Sequence, residues 1–229
     1  MASTAEIDQW LKAQLQGGAS PSKPEDVEIT PQPMAEVTVT ELLWNRSARP
    51  PDHQEEIEIL LSLLHSLAAS GPAETLRLLV QDALDACKGE TAGLGLVVTD
   101  ERGNKFFRNR VAVGMRSDYE GSFAPFHDVP YSVCVQRNSP QLFRHPERYF
   151  PAIEPLAPLA EFLEVPVFEG ADNLGVLWIA SHSGLREFDR QDVRILTILA
   201  DAAAAVLRML RLTVGQKEVE GSARLSPTS

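Results

Sequence analysis

Apolar positions near the carboxyl end of the chain recur with the period of an α-helix. Phe188 precedes Asp189, a residue suited to cap the helix, and Phe188 can pack on Val193. The pattern predicts a helix over 189–212 with two apolar stripes and one polar stripe. The first stripe consists of Val193, Leu196, Ala200, Ala203, Leu207 and Leu210, and the second of Ile195, Leu199, Ala202, Val206 and Met209.

Two further helices are predicted before the middle of the chain. Asp52 with Glu55 forms a pair typical of a helix start, and an apolar stripe with helical spacing follows, which predicts a helix over 54–69. Gly71-Pro72 ends this helix and begins another. The first stripe contains Ile57, Leu60, Leu61, Leu64 and Leu67; the second helix presents Leu76, Leu79, Val80, Ala83 and Cys87. Cys87 is therefore expected in the core as a small apolar residue.

The period then changes to that of β-strands. "LGLVVT" (94–99) and "KFFRNRVAVG" (105–114) flank the turn sequence "DERGN", and "AEFLEVPVFE" (160–169) and "LGVLWIASHS" (174–183) flank "GADN". These segments predict two hairpins. Alternation along the last strand places Trp178, Ala180 and His182 on one face, with Leu177 on the other.

The order of elements is helix, helix, hairpin, long crossover, hairpin, helix. This order predicts an α+β fold: an antiparallel sheet with helices on one face and the crossover on the other. The crossover, residues 115–159, is long for a compact domain. A connection of this length is expected to be functional or to contain short helices of its own.

Residues 1–50 differ from the rest of the chain because Gly, Ser and Pro replace large apolar residues in much of the segment. We expect a disordered extension over 1–50, one domain over 51–212 and a disordered tail over 213–229. Within the extension, "AEIDQWLKAQL" (5–15) is compatible with a short amphipathic helix containing Trp10. Two interpretations of that helix remain: a frayed end, or a peptide that docks on the domain or on a partner.

Composition restricts the class of protein. A hydrophobic fraction of 44% suits a packed core, and a net charge of −11 disfavours nucleic-acid binding. No run of 18 apolar residues is present, so we expect no membrane interaction. The amino end lacks the features of a signal peptide, which predicts a cytoplasmic protein. No P-loop, G-x-S-x-G or H-E-x-x-H motif occurs, so we do not expect an enzyme.

The stretch "PFHDVPYSVCV" (125–135) sets a histidine, an aspartate, a tyrosine and a cysteine among two prolines and an apolar run. His127, Asp128 and Tyr131 are candidates for the wall of a ligand pocket, because pockets combine apolar walls with a few polar groups. Alternatively, Asp128 closes a turn through its own backbone. Cys134 is either a reactive thiol or, between Val133 and Val135, part of a buried helical turn.

The remaining pocket candidates lie further along the chain: His145, Tyr149, Trp178 and His182. His145 more simply anchors a loop, and His182 is expected at the pocket rim beside Trp178. A metal or haem site built from His127, His145 and His182 is not expected, because no pair has local ligand spacing. The identity of any cofactor stays open.

Four segments together resemble the GAF domain family, in particular bacterial modules found alone or at the input end of histidine kinases. They are "ELLWNRSARPPDHQEE", "RNSPQLFRHPERYF", "LGVLWIASHSGLREFDRQDVRILTILA" and "DAAAAVLRML", and the resemblance spans about 41–212. It implies a sheet of five or six strands, a pocket under the crossover, dimerisation through terminal helices, and sensing without catalysis.

One segment departs from the family pattern. Relatives tend to read "PRDFSPCG" where this chain has Phe126 in place of the arginine and Tyr131 in place of the cysteine. Cys134 lies three positions further on, so a role of the family cysteine is not carried over to it.

The resulting hypothesis is a non-enzymatic GAF sensor or adaptor in bacterial signal transduction. It would bind a small molecule or a partner, such as a histidine kinase of a two-component system or another regulator. We expect a homodimer formed through one stripe of the last helix: Leu196, Ala200, Ala203, Leu207 and Leu210. Three alternatives remain: both stripes buried within one chain; a ligand-free interaction module with its pocket filled by Phe126, Tyr131 and Phe143; and a thiol enzyme using Cys134.

Overall fold

A computed structural model describes the backbone of residues 33–223 and the side chains of residues 33–212. Its centre is one antiparallel sheet of six strands in the order β3-β2-β1-β6-β5-β4. The strands are β1 (Thr91–Thr99), β2 (Lys105–Gly114), β3 (Phe123–Pro125), β4 (Gln141–Phe143), β5 (Glu161–Glu169) and β6 (Asp172–Ser181). The two predicted hairpins are β1–β2 and β5–β6, and they join in the middle of the sheet through β1 and β6.

Six α-helices surround this sheet in the described part of the chain. They are α1 (Met34–Val37), α2 (Leu42–Asn45), α3 (His53–Ala69), α4 (Pro72–Cys87), α5 (Pro130–Arg137) and α6 (Arg190–Ala223). The structure therefore confirms the predicted α+β class and the helix pair before the first strand. The amphipathic segment predicted at 5–15 lies outside the described residues.

The sheet separates two apolar cores. On the helix face, α4 packs against both α3 and α6, and α4 and α6 together cover the strands. This core contains Leu79 and Cys87 from α4 and Leu177 from β6. The crossover face contains Trp178 and its neighbours instead. The alternation predicted for the last strand is thus correct, and so is the burial of Cys87.

Side-chain caps begin the two helices for which the sequence predicted them. The Asp52 carboxylate accepts hydrogen bonds from the backbone N–H groups of Gln54 and Glu55. The Asp189 carboxylate accepts from Gln191 N at 2.7 Å and Asp192 N at 3.2 Å. Such caps satisfy backbone donors that have no partner within the helix. Helix α6 continues past residue 212, where the sequence predicted a tail, to Ala223.

Residues 33–50 are part of the folded domain, so the predicted boundary at residue 51 is wrong for this segment. The side chains of Val37 and Leu43 are fully buried. Thr38 forms a β-bridge with Phe143, and Val39 N donates to Leu142 O at 2.8 Å. The sequence pattern could not predict these contacts, because two short helices and one bridge contain too few apolar residues to produce a periodic signal.

The crossover between the hairpins forms the second layer of the fold. It contains β3, α5, β4 and three 3₁₀ turns, at Ser117–Tyr119, Pro146–Arg148 and Pro151–Leu156. The expectation that a connection of this length contains short helices is confirmed. Along the described residues, no helix combines the length and the apolar character needed to cross a membrane.

Candidate functional site

The crossover face, where the pocket was expected, is filled by aromatic side chains. Tyr131, Phe143 and Phe162 have no exposed surface, and Trp178 is equally buried. The Tyr131 ring lies 6.1 Å from Phe162 and 6.4 Å from Trp178 between ring centroids, with both pairs close to parallel. Rings packed at these distances occupy the space that a preformed ligand pocket would need.

A buried hydrogen-bond network fixes two of these rings. Tyr131 Oη donates to Asn109 Oδ1 at 3.2 Å, and Trp178 Nε1 donates to the same oxygen at 3.3 Å. Asn109 Nδ2 donates to Ser122 Oγ at 3.1 Å. A Cβ at Gly93 would lie 2.3 Å from the Trp178 ring, so glycine at this position makes room for the indole. Asn109 therefore anchors the aromatic cluster to the sheet.

Cys134 lies in the same core and is fully buried. Its thiol is 3.5 Å from the carbonyl oxygen of Ser139, to which it can donate a hydrogen bond. Burial raises the pKa of the Cys134 thiol well above its usual value, and the nearby charge of Glu164 raises it further. The predicted buried helical turn is correct, and the thiol has the surroundings of a structural rather than a reactive cysteine.

The part of the stretch 125–135 that precedes α5 lies nearer the surface. Phe126 stacks on Phe107 with a centroid separation of 5.2 Å, and the exposed His127 ring stands edge-on to Phe126 at 5.3 Å. Asp128 is exposed and has a φ of +62°, in the left-handed region. The stretch 125–135 is therefore divided: Tyr131 and Cys134 face the core, while His127 and Asp128 lie at the surface.

His145 and Tyr149 lie at the far end of the crossover. His145 is partly buried with a φ of +46°, and its Nδ1 is 3.6 Å from Glu147 Oε1. Tyr149 is 43% exposed and packs edge-on against Phe150. Both residues stabilise the loop after β4, in agreement with the simpler interpretation of His145.

His182 lies just past the end of β6, in a hydrogen-bonded position. Its Nδ1 is 2.8 Å from the carbonyl oxygen of Pro158, which can only accept, so Nδ1 donates. Its Nε2 is 2.7 Å from Thr91 Oγ1 and accepts from this hydroxyl in the neutral ring. Both ring nitrogens are used, so the side chain fixes the crossover to the sheet and has no nitrogen left for a metal.

A surface hollow of about 290 Å³ opens beside His182. Glu90, which lines it, accepts hydrogen bonds from His182 N at 2.6 Å and Ser183 N at 2.8 Å. Burial acts to raise the pKa of Glu90, but these hydrogen bonds prevail and lower it. Its carboxylate is thus committed to holding the loop after β6. The other residues around the hollow are Met115, Arg116, Leu156, Ala157, Pro158, His182 and Ser183.

Glu164, like Asn109, is a buried polar residue of this face that the sequence analysis missed. It lies in the middle of β5, is fully buried, and neither carboxylate oxygen has a hydrogen-bond partner among the described residues. Burial raises its pKa well above the usual value. The signal was present in "EFLEVPVFE", because strand alternation sets Glu164 on the same face as Phe162. The structure thus brings together Tyr131, Cys134 and Trp178 with Glu164.

Four arginines in the segments that resemble the GAF family pair with two buried carboxylates, those of Glu161 and Asp192, and this ion-pair cluster is called the clasp below: Arg46, Arg49, Arg144 and Arg186. Arg46, in the loop after α2, contacts Glu161 at the start of β5 through Nη1–Oε2 at 2.9 Å. Arg144 Nε donates to Glu161 Oε1 at 3.0 Å, and Phe188 N donates to Oε2 at 2.8 Å. One carboxylate thereby joins the amino-terminal loop, β4, β5 and the entry to α6.

A second carboxylate completes the clasp at the start of α6. Asp192 is fully buried and accepts from Arg49 Nη2 at 2.5 Å and from Arg186 Nη2 at 2.6 Å. Arg49 Nη1 also donates to the carbonyl oxygen of Ala86, near the end of α4, at 3.1 Å. These residues hold helix ends against the sheet, so the family segments that contain them have a structural role here. The described residues contain no group of three His, Cys, Asp or Glu placed to hold a metal.

The residues predicted for the dimer interface are not at the surface. Leu196, Ala200, Ala203 and Leu207 are buried in the helix-face core, and Leu210 is partly buried against it. The alternative, with both stripes buried within one chain, agrees better with the structure, in which α6 packs on both α4 and β5 and Met209 is the exposed member of the two stripes. The exposed stripe belongs to α3 instead: Ile57, Leu60, Leu61 and Leu64 are 57%, 37%, 50% and 62% exposed.

Comparison with known proteins agrees with this architecture. The family model for the GAF domain matches residues 69–208, more than half of the chain. Sequence comparison with curated proteins gives no match.

Three solved structures illustrate the shared fold. The GAF domain of a phosphoenolpyruvate-protein phosphotransferase from Acinetobacter has a TM-score of 0.57 at 17% identity, covering 72% of this chain and 99% of that chain. The GAF-B domain of DevS from Mycobacterium smegmatis has a TM-score of 0.50 at 19% identity, covering 65% and 98%. The chromophore binding domain of Stigmatella aurantiaca phytochrome P1 has a TM-score of 0.53 at 11% identity, covering 71% and 63%. At these sequence identities the similarity shows a shared fold but does not indicate a shared ligand. By its family match and its six-stranded sheet, the chain belongs to the GAF domain family of sensor and signalling modules.

Proposed function

We propose that this GAF domain is a non-catalytic signalling module that self-associates through α3 and relays its state to a regulatory protein, such as a histidine kinase. The observation that carries the proposal is the exposed apolar stripe of α3. Large exposed apolar patches on folded domains mark interaction surfaces. The remaining face of α3 already packs on the domain through the buried Leu63, so the stripe is additional to what folding requires.

The spacing of the stripe suits pairing with a second copy. Ile57, Leu60, Leu61 and Leu64 follow an i, i+3, i+4, i+7 pattern, the arrangement of a helix-pairing seam. An isologous interface brings the same stripe of two copies together. Antiparallel pairing sets Ile57 of one copy opposite Leu64 of the other, and Leu60 opposite Leu61.

Charge favours this antiparallel sense. Glu55 and Glu58 are exposed in the first turns of α3, while the second half of the helix contains no acidic residue; the nearby Glu56 is buried and paired with Arg194 of the same chain. Parallel pairing would bring the acidic ends of two copies together, which like charges oppose. Antiparallel pairing places each acidic end near His65 of the other copy. The proposed dimer therefore uses the helix at 54–69 rather than the stripe of α6.

The absence of catalysis in this proposal rests on the state of the thiols. Nucleophilic cysteines need a lowered pKa and access to substrate. Cys87 and Cys134 are both buried, and burial raises the pKa of each well above its usual value. This disfavours the alternative in which Cys134 acts as a nucleophile.

Size-exclusion chromatography with light scattering tests the proposal. The wild-type chain is expected to have the mass of a dimer at micromolar concentration. Leu64→Glu is expected to give a folded monomer, because a charge placed in a dry helix seam loses its hydration without a partner. Its unfolding temperature, measured at low protein concentration, should remain close to that of the wild type.

Leu185→Glu is the matched control. Leu185 is 93% exposed and lies outside α3, so the same exchange there should leave the dimer intact. A monomeric wild type, or a Leu64→Glu chain that stays dimeric, would contradict self-association through α3.

A further inference from the structure

On the helix side of the sheet, the apolar core ends before the turn that joins β1 to β2. Leu96 is the last residue of β1 that packs against this core. Val98 lies two residues further along the same side, directly opposite Phe106 of β2. Neither belongs to the two cores that the described residues form, yet Val98 is partly buried and Phe106 is only 9% exposed. A separate apolar surface therefore lies beyond the helix-face core.

The edge strand β3 extends this surface. Phe123 lies opposite Arg108 of β2, so both side chains face the same side of the sheet. Pro125 lies opposite Phe106 in the same way. The Arg108 guanidinium is 5.4 Å from the centre of the Phe123 ring, and Arg108, Phe123 and Pro125 are all partly buried. This surface is called the outer face below; its residues are Val98, Phe106, Arg108, Phe123 and Pro125.

Positive charge adjoins the aromatic rings of the outer face. Arg108 lies over Phe123, and Arg110, two residues further along β2, is exposed. Glu120, an acidic residue shortly before β3, is already paired with Arg77 of α4 at 2.6 Å. In a chain whose net charge is −11, two arginines beside an aromatic surface indicate a contact with a segment that is both acidic and apolar.

The amphipathic segment 5–15 has the complementary chemistry. In a helix, Ile7, Trp10 and Leu11 share one face, and two acidic residues flank that face on its two sides, Glu6 and Asp8. Trp10 is also the only aromatic residue outside the part of the chain whose side chains the structure describes. Aromatic rings pack favourably on other aromatic rings. Segment 5–15 thus combines the aromatic, aliphatic and acidic groups that suit the outer face.

The linker after this segment is long enough for the contact. The described chain begins beside β4, where Met34 packs against the crossover-face core and Thr38 bridges to Phe143. Strands β4 and β3 are at opposite edges of the sheet, roughly 24 Å apart at a strand spacing of about 4.8 Å. Residues 16–32 span up to roughly 56 Å when extended. Segment 5–15 can therefore reach the outer face of its own chain.

We propose that segment 5–15 docks as an amphipathic helix on the outer face of its own chain, with Trp10 against Phe106 and Phe123. Its acidic residues then lie near Arg108 and Arg110. A flexible linker holds the segment at an effective concentration on the order of millimolar, so a modest affinity is sufficient for docking. The contact does not use the apolar stripe of α3, so it is independent of the dimer proposed above.

A spin label beside the outer face tests the contact. Cys87 and Cys134 are buried, so a thiol-reactive nitroxide attaches to a cysteine introduced at the surface. Glu101→Cys places the label in the exposed turn between β1 and β2. The measurement is the relaxation of the Trp10 indole N–H in the nitrogen-15 NMR spectrum of the full chain, and Trp10→Phe identifies the signal. The label should broaden this signal strongly, and chemical reduction of the nitroxide should restore it.

A label at residue 185 is the control for position. Leu185 is 93% exposed and follows β6, whose last residues pair with the beginning of β1. The nine residues of β1 span about 30 Å, so this label lies far from the turn at the other end of the strand. Leu185→Cys with the nitroxide attached should leave the Trp10 signal sharp.

Substitutions on the outer face and in the segment test the contact from both sides. Phe123→Ala removes aromatic surface from the outer face and should abolish the broadening by the label at residue 101. Phe126→Ala is the matched control and should retain it, because Phe126 is also partly buried but stacks on Phe107 on the crossover side. The dispersion of the amide spectra verifies that both chains fold.

Reversing the charge of the segment leaves the outer face itself unchanged. Glu6→Lys combined with Asp8→Lys should weaken the broadening by the label at residue 101, because the segment would then present positive charge to Arg108 and Arg110. This variant keeps the proposal testable if Phe123→Ala does not fold.

Three results would overturn the proposal: a Trp10 signal that the label at residue 101 does not broaden, equal broadening by the label at residue 185, or full broadening in Phe123→Ala. A mixture of spin-labelled chain at natural isotope abundance with unlabelled nitrogen-15 chain tests which copy supplies the segment. Broadening in that mixture would show that the segment of one copy docks on another copy, which contradicts docking within one chain.

The same measurements with Leu64→Glu separate this proposal from the proposed dimer. A monomeric wild type whose Trp10 signal is broadened by the label at residue 101 would contradict only self-association through α3. A dimer whose Trp10 signal stays sharp would contradict only the docking of segment 5–15.

Discussion

Glu161 and Glu164 lie three residues apart on β5 and face opposite sides of the sheet. Glu161 faces the helices and accepts hydrogen bonds from Arg46, Arg144 and Phe188 N, whereas Glu164 faces the crossover and accepts none from the part of the chain that the structure describes. The two residues are chemically identical and similarly buried. Their difference therefore lies in which donors the tertiary structure brings within reach.

Asp82, on α4, is a second acid in unfavourable surroundings and gives a prediction at the level of one side chain. One of its carboxylate oxygens is buried and has no hydrogen-bond partner among residues 33–212. Burial, with a smaller contribution from Asp85, raises the pKa of Asp82 from 3.8 to about 6. Because the folded state holds this proton more tightly than the unfolded chain, wild-type stability falls as pH rises from 3.8 to about 6.

Asp82→Asn should remove this loss. Relative to the wild type, we expect little difference at pH 4 and a gain on the order of 1 kcal/mol at pH 7, after allowance for solvent screening. Urea unfolding of both chains across this pH range measures it. Asp201→Asn, at an exposed position of α6, should show no such gain. A stability difference that does not change with pH would contradict the assignment.

At the level of elements, α3 and α6 show that apolar spacing predicts a helix but not its environment. Both helices have apolar stripes with helical spacing, yet both stripes of α6 are largely buried within the chain and the α3 stripe is largely exposed. The sequence analysis located both helices but expected an exposed stripe on α6, where the structure has most of that stripe buried. Helix position follows from local period, whereas burial depends on the elements packed alongside.

Ala203→Glu tests the burial of α6. Ala203 is fully buried, so a glutamate there would be an unpaired charge inside the core. We expect a loss of at least about 3 kcal/mol in stability, measured by urea unfolding, and not the folded monomer that an exposed interface would give. Ala205→Glu, two residues further on at an exposed position, should change stability by no more than about 0.5 kcal/mol. A stable Ala203→Glu chain would refute the packing of α6.

At the level of the whole molecule, the amino-terminal segment 33–50 closes the domain. Val37 and Leu43 are buried in opposite cores, and Arg46 and Arg49 supply the cations of the clasp. The sequence analysis placed this segment outside the domain because its composition is polar and its elements are short. Its order depends on long-range contacts with Phe143, Glu161 and Asp192.

Truncation distinguishes the two domain boundaries. A chain that begins at residue 51 should lose at least about 3 kcal/mol relative to one that begins at residue 33, from the burial of Val37 and Leu43 alone. The loss of Arg46 and Arg49 would add to it, because Glu161 and Asp192 would be left without their cations. Urea unfolding of the two chains measures the difference. Equal urea midpoints would show that the domain begins at residue 51 and contradict a folded role for 33–50.

The sequence by itself determined the α+β class, both hairpins, the main helices with their caps, and the face on which Trp178 lies. These features follow from local period and turn chemistry, which act between residues close in the chain. Only the tertiary structure decided that Glu164 has no hydrogen-bond partner within residues 33–212, that His182 is fixed by Thr91 and Pro158, and that the larger exposed apolar stripe lies on α3 rather than α6. Each of these outcomes depends on which distant segments meet across the sheet, and contacts of that kind leave no period in a single sequence.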